Sequence, residues 1–152
     1  MPAVKSRMVS DSCAPTYTAV RSCAFADSNI PLYLLSMDAQ KVVVARTLLH
    51  ARCFISVQVL NEISSVMRRK HQYTWAQIER FLDVIRAQCP VEPLTETTHD
   101  TARQLAERYQ LSLYDALIAA AALLAGCDTL YSEDMQHGLL LEKRLRVVNP
   151  FV

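Results

Sequence analysis

The chain has 152 residues, 51% of them hydrophobic, and a formal net charge of +1. That suits one domain with a substantial core and would be cramped for two. Near-neutrality excludes a global basic field, so any nucleic-acid surface must be local.

Residues 1–21 mix Ser, Pro, Thr and charge, and read as a loosely ordered N-terminal extension. Their early basic residues precede no apolar run, so no signal peptide is expected. Residues 22–152 form the predicted domain. "SCAFAD", Ser22 to Asp27, is a strand candidate that ends on an acid. In "SNIPLYLLSM", Ser28 and Asn29 offer polar caps and Pro31 a place where a helix can begin. "RCFIS" reads as a buried strand running into "VQVLNEISSVMRRK". Leu60, Ile63 and Met67 share one face of that helix, and Gln58, Glu62, Ser65 and Arg69 another.

"TWAQIERFLDVIRAQC" opens on a capping box, Thr74 with Gln77, and carries the stripe Trp75, Ile78, Leu82, Ile85. "CPVEPL" is a short strand weakened by its prolines. Ala102, Leu105, Ala106 and Tyr109 then mark a further helix. "SLYDALIAAAALLAGC" follows, with Asp115 its one charge and Gly126 its stop. No more than twelve uncharged residues follow Asp115, Ala116 to Cys127, too short a stretch to cross a bilayer. "DTLYS" and "RVVN" supply the last strands. This alternation implies a parallel sheet with helices on both faces, a single-domain three-layer α/β/α architecture.

Cys13, Cys23, Cys53, Cys89 and Cys127 are odd in number and widely spaced, with no CxxC or Cys/His pattern. Neither zinc nor a disulfide framework is expected from them; reduced thiols in a cytoplasmic setting are.

In parallel α/β folds the site lies beyond the carboxyl ends of the strands. Asp27 closes the first strand, and Glu62 lies on the helix leaving the second. Asp134 follows "LYS" by two residues, and Asp115 sits in the first turn of the Ala-rich helix. Each has a local reading: Asp115 as a capping partner of Ser112, Asp27 as a helix cap, Glu62 as a solvated helix residue, Asp134 as a turn residue. Together they suggest more. Carboxylates gathered at one edge repel, and a divalent cation removes that penalty; Mg²⁺ and Mn²⁺ favour such hard oxygen ligands.

"FADSNIPLYLL", "ISVQVLNEI", "LSLYDALIAAAALLAGCDTLYSEDMQHG" and "VVNPF" resemble the PIN-domain family, in particular its VapC-like toxin ribonucleases. The resemblance spans about residues 23–152. It implies a central parallel five-stranded sheet and a Mg²⁺- or Mn²⁺-dependent endoribonuclease. It also implies a toxin that dimerises and is neutralised by a cognate antitoxin. By position, the family's acidic set falls on Asp27, Glu62, Asp115 and Asp134, with Asn29 and Ser132 as supporting polar residues. "QHG" after Asp134 departs from the family, because many relatives carry a further acid there.

On this reading Asp27, Asp115 and Asp134 hold the metal, directly or through water, and Glu62 orients or deprotonates the attacking water. The positive end of its helix would keep Asp115 ionised. "MRRKH" offers Arg68, Arg69 and Lys70 to RNA phosphates, with Arg46 and Arg52 as outlying candidates; the same cations would also complement a helix C-terminus. His137 reads as a loop residue, and Tyr114 and Tyr131 as packing residues. A haloacid dehalogenase pattern would want an acid at position 29, a receiver-like domain an acid pair near the first strand, and a nucleotide-binding fold a Gly-rich loop. None is present. The remaining alternative is a catalytically degenerate PIN domain that only binds RNA or protein.

Overall fold

The computed structural model describes residues 22–152. The expected N-terminal extension, and Cys13 within it, lie outside the described residues.

Among the described residues six strands carry the fold: β1 (Ala24–Ala26), β2 (Ile55–Ser56), β3 (Val91–Glu92), β4 (Thr129–Tyr131), β5 (Leu140–Leu141) and β6 (Leu145–Val148). β1, β4 and β6 pair in parallel, as do β2 and β3. A parallel bridge between Phe25 and Phe54 joins the two sets, with hydrogen bonds of 2.8 Å from Ala26 N to Phe54 O and from Phe54 N to Ala24 O. The order is therefore β3-β2-β1-β4-β6-β5. The five expected strands are all present and all parallel. β5 is an unanticipated sixth, antiparallel to β6 at the edge. Its turn holds Glu142 and Lys143 at φ of 50° and 57°. Asn or Gly at such positions would have signalled a hairpin, and "EKR" does not.

The helices are α1 (Asn29–Leu32), α2 (Ala39–His50), α3 (Val57–Lys70), α4 (Trp75–Gln88), α5 (Glu96–Tyr109) and α6 (Leu113–Leu124). α1 is a single turn prolonged by a 3-10 turn at Tyr33–Leu35. α2 has no counterpart in the expected elements. Three consecutive valines and only two fully buried positions, Ala45 and Leu49, leave it without a clear stripe, and Asp38 caps it by accepting from the amides of Gln40 and Lys41. On α3 the buried apolar positions are Val59, Ile63 and Met67, with Leu60 half-buried. The capping box of α4 is present, but Trp75 is 65% exposed, so its core stripe starts at Ile78. A residue in the first turn, beside the cap, still overhangs solvent.

Every residue of α6 from Ala116 to Leu123 is buried. Its alanines let the backbone lie close to α5 and the sheet, where a larger side chain would hold it off. α6 ends in a Schellman motif: Cys127 N bonds Ala122 O, Gly126 N bonds Leu123 O, and Gly126 takes φ +77°.

The cysteines correct an expectation. Cys23, just before β1, and Cys127, just before β4, are disulfide-bonded with their Cα atoms 4.4 Å apart. Neighbouring parallel strands bring together residues that sequence spacing keeps far apart. Cys53 and Cys89 are free, buried thiols whose pKa burial pushes up to about 11. No helix among the described residues is long and apolar enough to cross a membrane.

Candidate active site

Parallel strands deliver their following residues to one edge, and there the buried polar groups collect. Among the described residues six polar side chains are buried: Asp27, Ser28, Ser56, Gln58, Thr98 and Ser132. Ser56 caps α3 and Thr98 belongs to the cap of α5. Of the other four, Ser28, Gln58 and Ser132 hydrogen-bond the carboxylate pair formed by the fourth, Asp27, and Glu62. Asp27, 2% exposed, directly follows β1, and Ser132 directly follows β4.

Asp27 Oδ1 accepts from the Ser28 amide at 2.6 Å, and its Oδ2 accepts from Ser132 Oγ at 2.6 Å and from Asn29 Nδ2 at 3.3 Å. Ser132 Oγ in turn accepts from Met135 N at 3.1 Å, which fixes its proton toward Asp27. Ser28 would be the N-cap of α1, yet its hydroxyl makes no cap; it donates to Glu62 Oε2 at 2.6 Å. Gln58, one turn before Glu62, donates to Glu62 Oε1 at 3.3 Å. Asn29 Nδ2 also donates to Asp134 Oδ2 at 3.1 Å. Asp115 sits in the first turn of α6, where its own amide donates to Ser112 Oγ at 3.2 Å.

Burial is the main force raising the Asp27 pKa to about 7. Hydrogen bonds from Ser132 and Ser28 oppose it, and the charges of Glu62 and Asp115 add to it. Asp115 is raised too, first by burial and then by Glu62 and Asp134, against a lowering contribution from Ser112. The positive end of α6 favours the Asp115 carboxylate, as expected of a helix start, but it acts against these influences. Half-burial and two neighbouring carboxylates raise its pKa, whereas a dipole end contributes about 1 kcal/mol or less at such sites. Thus Asp27 feels Glu62 and Asp115, Asp115 feels Glu62 and Asp134, and Asn29 bridges Asp27 to Asp134.

Among the described residues the ion pairs, Lys41–Glu133 and Arg108–Glu142, involve none of these four acids. Glu133 beside Asp134 is tied off elsewhere: Lys41 Nζ donates to it at 2.7 Å, Tyr33 also donates to it, and these bonds hold its pKa low. As the side chains stand, no three His, Cys, Asp or Glu among the described residues are gathered tightly enough to hold a metal ion. The donor chemistry nonetheless fits a hard divalent cation. Two carboxyls, Asp27 and Asp115, have their pKa raised by burial and by neighbouring carboxylates, oxygen is the available donor, and Mg²⁺ usually keeps several waters between itself and its ligands.

A family model described as PIN domain matches residues 24–138. The chain belongs to the PIN domain family. Among solved structures, this PIN domain is similar to a toxin–antitoxin complex from Klebsiella pneumoniae, with TM-score 0.63 and 22% identity over 85% of this chain and 98% of that one. It is also similar to Mycobacterium tuberculosis VapC20, described as a sarcin-ricin loop cleaving toxin. There the TM-score is 0.59 and the identity 19%, over 73% of this chain and 89% of that one. A third is VapBC2 from Rickettsia felis bound to a promoter DNA fragment, with TM-score 0.60 and 18% identity over 82% and 96% of the two chains. At these identities the likeness is one of fold. No curated protein matches the chain.

The PIN domain's basic candidates divide. Arg69 lines a groove of about 670 Å³ together with Glu62, Asp134 and Tyr114. Lys70 and His71 line an adjoining cavity of about 360 Å³ that shares Ser28 and Asp134 with it. Arg68 is engaged elsewhere: it donates to Tyr73 O at 3.0 Å and lies over the Trp75 ring at 5.5 Å. Arg46 is exposed on α2, and Arg52 lines a cavity of about 710 Å³ at the opposite end of the sheet. That cavity holds none of the four acids. His137 is a loop residue whose Nδ1 accepts from Asn149 N at 2.9 Å. Tyr131 is half-buried against the core, but Tyr114 is 63% exposed, which corrects its reading as a packing residue.

Ser28 and Gln58 were not anticipated in their observed roles. The spacing of Gln58 and Glu62 at i and i+4 was the available signal for one. Nothing local marks Ser28, whose partner lies 34 residues away.

Proposed function

We propose that this PIN domain is a metal-dependent endoribonuclease, with Mg²⁺ or Mn²⁺ as its cofactor, and the toxin of a toxin–antitoxin pair. The observation that carries the reading is the Asp27 carboxyl, buried, fully hydrogen-bonded and driven to a pKa of about 7 beside Glu62 and Asp115. Keeping a carboxyl so buried and so close to other acids costs stability, and strongly perturbed acids of this kind mark functional sites. Asp27, Asp115 and Asp134 would hold the cation, in part through water. When bound, a divalent cation lowers the pKa of water and screens charge on a scissile phosphate.

The chain's own residues supply the rest. Ser132 and Ser28 fix the Asp27 oxygens, and Asn29 links Asp27 to Asp134. Glu62, held at both oxygens by Ser28 and Gln58, orients the attacking water and accepts its proton. Arg69 and Lys70 draw the phosphate strand toward an otherwise acidic edge. Toxin–antitoxin complexes among the structural neighbours support a cognate antitoxin as partner. A homodimer and a cytoplasmic location complete the proposal.

Purified protein incubated with single-stranded and structured RNA is expected to cleave on addition of Mg²⁺ or Mn²⁺ and to stop with EDTA. Cleavage indifferent to EDTA would overturn the metal role, and no cleavage under any metal would leave a binding module. Ser132→Ala is expected to raise the Asp27 pKa further and weaken Mn²⁺ binding roughly 10- to 100-fold by calorimetry, as loss of a ligand-orienting partner does. Unchanged affinity would remove Ser132 from the site.

A further inference from the structure

Tyr114 stands out among the rings at the acidic edge. Tyr33 packs edge-on against Phe151 at 4.7 Å with Lys41 above it, and Tyr73 lies 6.0 Å from the His71 ring. Tyr114, immediately before Asp115, is instead 63% exposed and lines the same groove as Glu62, Asp134 and Arg69. An aromatic ring gains most by being buried, so a rigid ring left open beside a reactive centre is suited to a planar ligand. The groove thus carries an aromatic face, a guanidinium and the acids together.

We propose that Tyr114 is the stacking platform for a base next to the scissile phosphate, that Arg69 holds a phosphate of the same strand, and that the groove thereby selects single-stranded RNA. The inference rests on the nuclease reading above and adds its specificity determinant. Stacking suits an acidic site because a base face is neutral, whereas the phosphates beside it are repelled by Glu62 and Asp134. Arg69 offsets that repulsion for one phosphate. A paired base has both faces covered and must be unstacked, at a cost of a few kcal/mol, before Tyr114 can reach it. A single strand presents its bases freely. Base–aromatic stacking also tolerates any base, so the platform selects strandedness rather than sequence.

The test is equilibrium binding of a short labelled single-stranded oligoribonucleotide to the full chain carrying Asp27→Asn. That substitution silences turnover and lies outside the groove lining. Adding Tyr114→Ala is expected to weaken binding roughly ten- to a hundredfold, the range for loss of one stacked base, while Tyr114→Phe stays within about twofold. An oligonucleotide with one abasic position beside the cleavage site should lose the same factor, and Tyr114→Ala should then add nothing. Arg69→Gln should reduce the salt dependence of binding by about one phosphate contact. Tyr114 is exposed, so its variants should keep the parent melting temperature.

Unchanged RNA affinity in Tyr114→Ala would overturn the proposal and assign the ring to a protein partner. So would equal losses on single-stranded and duplex RNA, or no binding of single-stranded RNA by the parent. These readouts need no turnover. A Tyr114-dependent binder that never cleaves would sink the nuclease reading alone, and metal-dependent cleavage with no Tyr114 effect would sink the inference alone.

Discussion

Asp115→Asn is expected to lower metal-dependent RNA cleavage on the order of a thousandfold, equivalent to about 4 kcal/mol of transition-state stabilisation. The substitution keeps the size, the helix position and the amide bond to Ser112 Oγ, so α6 should be undisturbed. What it removes is one charge from a group of four. Asp115 feels Glu62 and Asp134 directly, and through them shares the field in which any cation would sit. The helix behind it is buried from Ala116 to Leu123, which anchors the backbone that carries the Asp115 side chain. Single-turnover cleavage at saturating Mn²⁺, with the circular dichroism spectrum as a fold control, is the measurement. Full activity in the variant would refute the assignment of Asp115.

How far the sequence announced this site depends on the kind of contact. The strands and their exits could be read because short apolar runs, caps and stops are local patterns; Asp27, Asp115 and Asp134 follow from them. The polar residues that hold the acids are a matter of tertiary geometry. Ser132 meets Asp27 across 105 positions of chain, and Ser28 meets Glu62 across 34. Ser28 looked like a helix cap because its spacing was that of one, but the half-buried Glu62 offered its hydroxyl a stronger, charge-assisted acceptor. Helix α2 was illegible for the opposite reason: its valines favour strands, and only Asp38 at its start argues locally for a helix. The Cys23–Cys127 pair depends on two strands being neighbours, which no spacing rule reveals.

Asp27→Asn should make the metal-free protein more stable at neutral pH while abolishing cleavage. The folded-state pKa of Asp27, about 7, lies above the ordinary 3.8. Between those values the folded chain keeps a proton that the unfolded chain has lost. The contribution of this group to stability is therefore greatest below about pH 4, falls as pH rises through that window, and is constant above 7. At roughly 1.4 kcal/mol per pH unit, the interval from 3.8 to about 7 amounts to a ceiling of about 4 kcal/mol. An amide cannot ionise and escapes this loss. It still accepts from the Ser28 amide, but it replaces the Oδ2 that takes Ser132 and Asn29 by a donor, which costs on the order of 1–2 kcal/mol. The net gain, about 2 kcal/mol, should raise the melting temperature by roughly 5 °C at pH 8 in EDTA and by much less at pH 5. Saturating Mn²⁺ should reverse the order, because a ligand that binds only the folded state stabilises the wild-type chain and finds no complete site in the variant. If Asp27→Asn melts below wild type at pH 8 in EDTA, with the same pH profile, then the Asp27 carboxyl does not carry the burial and charge penalty on which the metal-centre reading stands.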